Sequence, residues 1–295
     1  MFTLAHLTDP HLAIGARVPL GMLRGKRLIG YINWRRNRRY AHDLVTLGRI
    51  VSHVKATATD HVVVTGDFVN IALPVEYENL GVWLSSLGPH SDLTTIPGNH
   101  DVYVKGGLEM TQEICGETMR GDDGAKTFPF VRRRGKVAII ALNTGVPTRP
   151  FLATGALGAQ QVAALAGALA DLKRENLFRV VLIHHPPVSE IAAHKRLVDA
   201  ADFLRVVAAQ GAELVLHGHN HLHELHWLPG PNGRVPAVGV PSASGALNLA
   251  RHPAAYNLYR IDGAPGEWRC QLESHGVGPD GKITMMQKMM LLSAR

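Results

Sequence analysis

The sequence has few cysteines and no long apolar run. Among its 295 residues are only two cysteines, Cys115 and Cys270, and neither belongs to a CxxC pair. A disulfide framework is therefore not expected, and a reducing compartment is the simpler interpretation. No apolar stretch reaches the roughly 18–20 residues that a membrane-spanning helix needs, and no signal-peptide pattern begins the chain. We expect a cytoplasmic protein that contacts membranes, if at all, only peripherally at the inner membrane face.

Repeats and low-complexity linkers are also missing, and aromatic residues make up only 6% of the chain. With 46% apolar and 19% charged residues, the composition is that of an ordinary globular protein, which excludes disordered, collagen-like and coiled-coil chains. The length allows one large or two small domains. Because no linker divides the chain, we predict a single domain over residues 1–295.

Acidic residues are absent between His11 and His42, although the segment carries eight basic residues. The chain has 31 Lys and Arg against 24 Asp and Glu; removing the eight leaves 31 − 8 = 23 basic residues, a net charge near −1. One segment thus carries the whole positive excess, which indicates a local anion-facing patch rather than a general nucleic-acid coat. The candidate substrate- or anion-binding residues are Asn70, Arg24, Lys26, Arg27, Arg35 and Arg36.

Short β-rich runs alternate with helical stretches, which predicts a largely parallel α/β arrangement. The predicted strands are 2–7, 61–65, 93–96, 178–183 and 213–216, and the predicted helices are 40–57, 75–87, 160–174 and 195–210. Adjacent β-rich runs at 128–133 and 137–142, at 223–228 and 235–240, and at 256–261 and 268–273 indicate antiparallel pairs. They predict a mixed or second sheet.

Five short polar segments follow predicted strands, one of them after a single proline. They are Asp9-Pro10-His11, Gly66-Asp67-Phe68-Val69-Asn70, Gly98-Asn99-His100-Asp101, His184-His185-Pro186 and His217-Gly218-His219-Asn220-His221. Ligands of open α/β sheets bind beyond the carboxyl ends of the strands, so the five segments are expected to converge. Carboxylate, imidazole and amide groups suit two ions such as Mn, Fe or Zn. The histidines that fit no such spacing are His42, His53, His61, His90, His194, His223, His226, His252 and His275.

These segments resemble the motifs of the calcineurin-like metallophosphoesterase superfamily: DxH, GDxxN, GNHD/E, a His before x-Pro, and GHxH. The resemblance spans about residues 1–225 with every element intact, which argues against a non-catalytic scaffold. It implies an α/β fold built as a four-layer αββα sandwich with two mixed β-sheets. It also implies a pair of divalent or trivalent metal ions at the strand ends.

Carried over by motif position, the resemblance implies seven metal ligands with Asp67 as the bridge. The first ion would be held by Asp9, His11, Asp67 and His221, and the second by Asp67, Asn99, His184 and His219. His184 is preferred to His185 because the family ligand precedes x-Pro. His100 would contact the phosphate or protonate the leaving oxygen, Asp101 would orient His100, and Asn70 would shape the loop.

The resemblance implies hydrolysis of phosphodiesters by a hydroxide that the two ions generate. The run GDFVNIALPVEYENLGVWLSSLG is similar to bacterial cyclic-nucleotide phosphodiesterases. The alternative is a membrane-surface pyrophosphatase or phosphodiesterase acting on a lipid-linked phosphate such as UDP-2,3-diacylglucosamine. A nuclease ranks third, because the body of the protein has no broad basic groove.

Two further segments are open to several interpretations. The basic insertion at about 15–40 mixes Arg and Lys with Tyr31, Trp34 and aliphatic residues. It suits an anionic lipid surface, a nucleotide or nucleic acid, or a solvated helix face. The apolar segment at about 282–295 is expected to be a C-terminal helix docked on the core, an oligomer contact, or an apolar pad for a greasy ligand.

Overall fold

The computed structural model describes residues 1–15, 18–188, 191–247 and 252–293. In these residues, strands and helices alternate through most of the chain. The strands are β1 (Phe2–Leu7), β2 (His61–Val64), β3 (Leu93–Thr95), β4 (Phe130–Arg134), β5 (Val137–Ala141), β6 (Phe178–Leu182), β7 (Leu214–His217), β8 (Glu224–Gly230), β9 (Gly233–Gly239), β10 (Ala255–Asp262), β11 (Arg269–Val277) and β12 (Ile283–Leu292). The helices are α1 (Lys26–Asn33), α2 (Leu44–Ala56), α3 (Pro74–Leu87), α4 (Gly107–Cys115), α5 (Gly158–Arg174) and α6 (Ala200–Gln210).

The described strands form two mixed six-stranded sheets. The first has the order β12-β11-β10-β1-β2-β3, in which β1, β2 and β3 are parallel and the other pairs are antiparallel. The second has the order β4-β5-β6-β7-β9-β8, in which β5, β6, β7 and β9 are parallel. Helical segments connect β1 to β2, β2 to β3, β5 to β6 and β6 to β7, so the chain returns to the same end of the sheet before each parallel strand. The parallel strands β7 and β9 are instead connected through β8.

Successive side chains of β6 point to opposite faces of the sheet and pack in two different apolar layers. Phe178 and Val180 belong to a cluster that joins both sheets, whereas Val181 packs with Leu165 of α5 and Phe203 of α6. Helices α2 and α3 contribute buried side chains to the first cluster. The layers are therefore helix, sheet, sheet and helix, and the expected αββα sandwich with two mixed sheets is confirmed.

The C-terminal segment is a strand, so the expected helix was wrong. β12 pairs antiparallel with β11 at the edge of the first sheet. Met285, Met286 and Met290 are about half exposed there. The open edge of β11 offers a full set of backbone partners, and this tertiary pairing outweighs the helix preference of Met, Leu and Lys. An oligomer contact through β12 stays a prediction, and residues 294–295 lie outside the described residues.

The basic insertion forms a helix that is anchored beside the loop after β2. Helix α1 continues into a π-helical turn over Trp34–Arg38. Tyr31 and Trp34 stack at a centroid distance of 5.9 Å and pack on a small cluster of Ile14, Leu23, Ile71 and Leu73. The insertion is therefore not simply a solvated loop. Its residues 16–17, including Arg17, lie outside the described part. None of the described helices is both long enough and apolar enough to cross a bilayer.

Candidate metal centre

The five polar segments meet where the parallel strands of both sheets end. Backbone hydrogen bonds join the first two segments: the Asp9 N–H donates to the Gly66 carbonyl at 2.9 Å, and the His11 N–H donates to the Asp67 carbonyl at 3.1 Å. The Gly218 N–H donates to the His184 carbonyl at 3.1 Å and joins the two segments of the second sheet. The structure thus brings all seven predicted ligands to one place.

One group of donors surrounds the side chain of Asp9. His221 Nε2 lies 3.1 Å from Asp9 Oδ1 and 3.3 Å from His11 Nε2. His11 Nε2 lies 3.8 Å from Asp9 Oδ1 and 4.0 Å from Asp67 Oδ2. Donors around an ion bound at about 2.1 Å lie roughly 3.0–3.5 Å apart. The two spacings of His221 fit one ion, and a small movement of the His11 ring would bring the other two into range.

A second group lies on the other side of Asp67. His184 Nε2 is 3.4 Å from Asp67 Oδ2 and 3.3 Å from Asn99 Oδ1. The donors of Asp67, His184 and His219 all lie within 4.8 Å of one another. Since Asp67 takes part in both groups, its carboxylate is placed to bridge two ions.

Three of the histidines are held from behind by backbone carbonyls. A carbonyl only accepts, so each of these rings donates from its rear nitrogen and turns its other nitrogen toward the centre. The pairs are His11 Nδ1 with Val69 O at 3.3 Å, His184 Nδ1 with Thr65 O at 2.6 Å, and His219 Nε2 with Lys195 O at 2.9 Å. This is the arrangement of metal-binding histidines, and the residues present therefore fit a metal pair.

The buried carboxylates call for positive charge at the centre. Although burial alone would raise it, the pKa of Asp9 is held well below its usual value by His221, His184 and His11. Burial lowers the pKa of His184, but Asp67 and Asp9 outweigh burial and raise it to about 9. A bound cation would supply the same compensation.

Five of the ligand candidates adopt left-handed backbone angles. The φ values are +50° for Asp9, +40° for His11, +56° for Asp67, +70° for His219 and +55° for His221. Such angles are uncommon outside glycine, and each costs on the order of 1–2 kcal/mol. Strain concentrated at these positions is typical of a functional site that the surrounding structure holds in place.

Glycines let the loops approach this closely. A Cβ on Gly66, whose φ is +90°, would lie 2.4 Å from the Gly98 nitrogen. A Cβ on Gly218 would lie 2.6 Å from Asp9 Oδ2. Because neither position has room for a side chain, the glycines of these motifs are needed for the packing of the site.

Asp101 does not orient the His100 ring as expected. Its buried carboxylate accepts four backbone N–H bonds, at 2.7–3.1 Å, from Asp67, Phe68, Val69 and Gly98. Burial and the neighbouring Asp67 raise the pKa of Asp101, and the N–H donors oppose that shift. Asp101 therefore fixes the backbone that presents Asp67. Its short side chain accepts hydrogen bonds from the N–H groups of the tight turn and does not contact the His100 ring.

His100 is oriented instead by Asn70 and Arg38. Its Nδ1–H donates to the Asn70 carbonyl at 2.5 Å, and its Nε2 accepts from Arg38 Nη1 at 2.8 Å. Burial is the main cause that lowers the pKa of His100 to about 4. The sequence shows Arg38 as one of the eight basic residues of the insertion but does not indicate it as a site residue, because only the π-helical turn brings it next to His100.

Asn70 lies where a loop-shaping residue is expected. Its side-chain amide donates to the Leu12 carbonyl at 2.7 Å and to Glu76 Oε1 at 3.1 Å. Glu76 in turn accepts N–H bonds from Asn70, Ile71 and Leu73. Asn70 therefore fixes the loop after Asp67 while it lines the cavity described below.

Two other histidines differ in their relation to the centre. His185 is hydrogen-bonded on both nitrogens, to Thr144 Oγ1 at 2.7 Å and to the Ala153 carbonyl at 3.0 Å, which favours His184 as the ligand.

His42 fits no motif spacing in the sequence, yet its ring centroid lies 4.5 Å from that of His11 and 5.7 Å from that of His221. No motif spacing indicates this contact, because it depends on how the segment before α2 folds back.

A cavity of about 500 Å³ opens above the two donor groups. Its described lining includes Lys26, Trp34 and Arg38 from the insertion, together with Tyr103 and Phe151. Of the predicted anion-binding residues only Lys26 and Asn70 line it. Arg27 donates to the Ala72 carbonyl instead. Arg24, Arg35 and Arg36 are exposed and do not line the cavity: Arg24 precedes α1, and Arg35 and Arg36 lie in the π-helical turn after it.

Comparison with known proteins places this chain in a family. A family model for calcineurin-like phosphoesterases matches residues 2–223. The chain belongs to the calcineurin-like phosphoesterase family. Such phosphoesterases use a dinuclear metal site, and the chain is accordingly a metal-dependent phosphoester hydrolase.

Relatives and solved structures agree with membership of the calcineurin-like phosphoesterase family. A "probable cyclic nucleotide phosphodiesterase" of Synechococcus sp. is 28% identical over 286 residues, which cover 94% of this chain and 93% of the relative. A dimetal phosphatase from Danio rerio has a TM-score of 0.65 at 12% identity over 100% of this chain and 99% of its own. Purple acid phosphatase PPD1 from yellow lupin has a TM-score of 0.60 at 12% identity over 96% of this chain and 52% of its own. At these identities the two structures show the fold alone.

Proposed function

We propose that the chain hydrolyses small phosphodiesters of the cyclic-nucleotide type with the help of two metal ions. The observation that carries the proposal is the pair of donor groups that share Asp67 beneath a cavity. A volume of about 500 Å³ suits a small molecule rather than a polymer. The printed name of the Synechococcus relative supports the same substrate class.

The seven side chains would divide between the two ions as the motifs imply. The first ion would be held by Asp9, His11, Asp67 and His221, and the second by Asp67, Asn99, His184 and His219. Their mixed oxygen and nitrogen donors suit Mn, Fe or Zn. When bound, the ions supply Lewis-acid chemistry: they lower the pKa of water and offset the charge of the phosphoryl oxygens.

His100 and Arg38 would act on the substrate from the side of the insertion. Arg38 donates to His100 Nε2 and lines the cavity. A guanidinium binds phosphate oxygens strongly and directionally. Arg38 would turn from His100 to a phosphate oxygen. His100 Nε2, which accepts from Arg38 in this structure, would then take up a proton from solvent beside the anionic substrate. The resulting N–H would donate a hydrogen bond to the phosphate or its proton to the leaving oxygen.

Hydrolysis of paired model substrates tests this proposal. Wild-type protein with Mn²⁺ is expected to cleave bis(p-nitrophenyl) phosphate faster than p-nitrophenyl phosphate and to cleave at least one 3′,5′- or 2′,3′-cyclic nucleotide. Asp67→Ala is expected to abolish both reactions, since it removes the shared ligand. The exposed control Asp171→Asn should leave them unchanged. Faster cleavage of the monoester, or full activity of Asp67→Ala, would contradict the proposal.

A second candidate substrate is a phosphodiester or pyrophosphate linked to a lipid. The observation that favours it is an exposed apolar rim beside the cavity. Leu28 and Ile32 of α1 are 43% and 44% exposed, and Phe151, which lines the cavity, is 84% exposed. The exposed Arg35 and Arg36 follow directly on this helix, and basic residues beside an apolar face suit the surface of an anionic membrane.

Vesicle flotation tests the lipid alternative. Wild-type protein is expected to float with vesicles rich in phosphatidylglycerol at low salt, and to bind less at high salt. The double variant Leu28→Ser with Ile32→Ser should lose binding, whereas Val82→Ser, at an exposed position of α3, should not. Absence of binding at low salt, or equal binding by all variants, would contradict a membrane-facing role of α1.

We also propose that residues 1–295 form one domain, because one apolar cluster draws side chains from both sheets. A single calorimetric unfolding transition, with equal calorimetric and van't Hoff enthalpies, is the expected result. Two resolved transitions would contradict it.

A further inference from the structure

A second cluster of metal-binding side chains lies behind the HGHNH segment. His217 ends β7 and Glu224 begins β8, and both pair in register with Gly239 of β9. Gly239 has no side chain, so the two approach each other across it: His217 Nδ1 lies 3.8 Å from Glu224 Oε2. A Cβ at position 239 would lie 2.6 Å from His217 Cε1 and 3.2 Å from Glu224 Oε2. The glycine thus leaves a small cradle between an imidazole and a carboxylate.

His226 completes the cluster from the same face of the sheet. It follows Glu224 by two residues in β8, and alternate residues of a strand point to the same side. Donor atoms of His217, Glu224 and His226 all lie within 4.8 Å of one another. The cluster shares no residue with the seven predicted ligands of the metal pair.

Two polar atoms of this cluster are not satisfied by the protein. In the described part of the chain, the buried Nε2 atoms of His217 and His226 have no hydrogen-bond partner. His217 is fully buried, and its 3.8 Å separation from Glu224 is too long for a hydrogen bond. Buried polar groups without partners are costly and uncommon in folded proteins, so this cluster points to a ligand.

We propose that His217, Glu224 and His226 bind a third divalent transition-metal ion. Two imidazoles and one carboxylate form a donor set suited to Zn²⁺ and similar ions. Donors around a tetrahedral ion lie roughly 3.3–3.6 Å apart, so small rotations of these side chains close the site. The Glu224 side chain is 15% exposed, which leaves a path for the ion and room for a water ligand.

The ion would stabilise the segment that carries two ligands of the metal pair. Glu224 also accepts from Asn220 Nδ2, at 3.0 Å through Oε1 and 3.2 Å through Oε2. Asn220 stands between His219 and His221. An ion on Glu224 therefore fixes this loop from behind and has a structural rather than a chemical role.

Counting bound zinc tests the proposal. The full chain is loaded with Zn²⁺, freed of loose metal by gel filtration, and analysed by mass spectrometry of its metals. Three ions per chain are expected for wild type and for His223→Gln, a control at an exposed neighbouring position. Two are expected for His226→Gln. Glu224→Gln keeps an oxygen acceptor for Asn220 and is also expected to hold two.

The same count separates this site from the metal pair. Asp67→Ala is expected to retain one ion if the third site exists. Two ions in wild type and none in Asp67→Ala would show the metal pair without a third site. Three ions in both His226→Gln and Glu224→Gln would show that these side chains do not hold the third ion. Either result would overturn the proposal while leaving the metal pair intact. One ion in wild type that His226→Gln loses would support the third site and contradict the proposed function. If His226→Gln does not fold, Glu224→Gln decides the outcome.

Discussion

Replacement of Asp101 by asparagine probes how the backbone around Asp67 is held. Each carboxylate oxygen accepts two N–H bonds: Oδ1 from Phe68 and Val69, and Oδ2 from Asp67 and Gly98. An amide keeps one accepting oxygen and turns an NH₂ group toward two buried N–H donors. Each donor left without an acceptor costs about 1–3 kcal/mol, so the expected loss is about 2–6 kcal/mol. That is a large part of a typical folding free energy of about 5–15 kcal/mol.

The loss is measured by chemical and thermal unfolding together with metal binding. Asp101→Asn is expected to lower Tm by roughly 5–20 °C and to weaken metal binding, because the loop that presents Asp67 is no longer fixed. Asp171→Asn breaks only an exposed pair with Arg174 and should change stability by less than about 0.5 kcal/mol. An Asp101→Asn protein with wild-type Tm and metal affinity would refute the role assigned to the four hydrogen bonds.

Three further predictions concern single side chains. Arg38→Ala is expected to lower kcat/KM by roughly 10- to 100-fold, the loss of one charge-assisted contact to phosphate, whereas Arg36→Ala at an exposed position should have little effect; equal effects in steady-state assays would contradict the assignment. His100→Ala should reduce the rate most for substrates with poor leaving groups, and equal losses across a series of aryl phosphodiesters would argue against proton donation. Ala58→Gly relieves a φ of +49° just after α2 and should raise stability by about 0.5–1 kcal/mol, whereas Ala56→Gly at the last residue of α2 should not raise it; the reverse order in urea unfolding would contradict this.

The sequence predicts much of this fold because its motifs stand at the ends of β-rich runs. Segments such as Leu4–Leu7 and Val62–Val64 are short, apolar and followed at once by chemistry-bearing residues, so their place in parallel sheets can be inferred. The convergence of Asp9, Asp67 and His184 follows from that placement. The glycines beside these residues indicate tight turns, and the structure shows why no larger residue fits at Gly66.

The rest depends on contacts between distant parts of the chain. The approach of Arg38 to His100 requires a π-helical turn, which no pattern of residue spacing predicts. The position of His42 beside His11 requires the insertion to fold back over the site. The methionine-rich C-terminus has the composition of a helix, but the free edge of β11 selects a strand. In each case a tertiary partner far away in the sequence decides between local alternatives.

Anomalous diffraction from crystals loaded with Mn²⁺ or Zn²⁺ tests the central claim most directly. Two ions are predicted to flank the Asp67 carboxylate. One should lie within bonding distance of Asp9, His11 and His221, and the other within bonding distance of Asn99, His184 and His219. A map with no peak beside Asp67, or with one ion that leaves either group of donors without metal, would contradict the account.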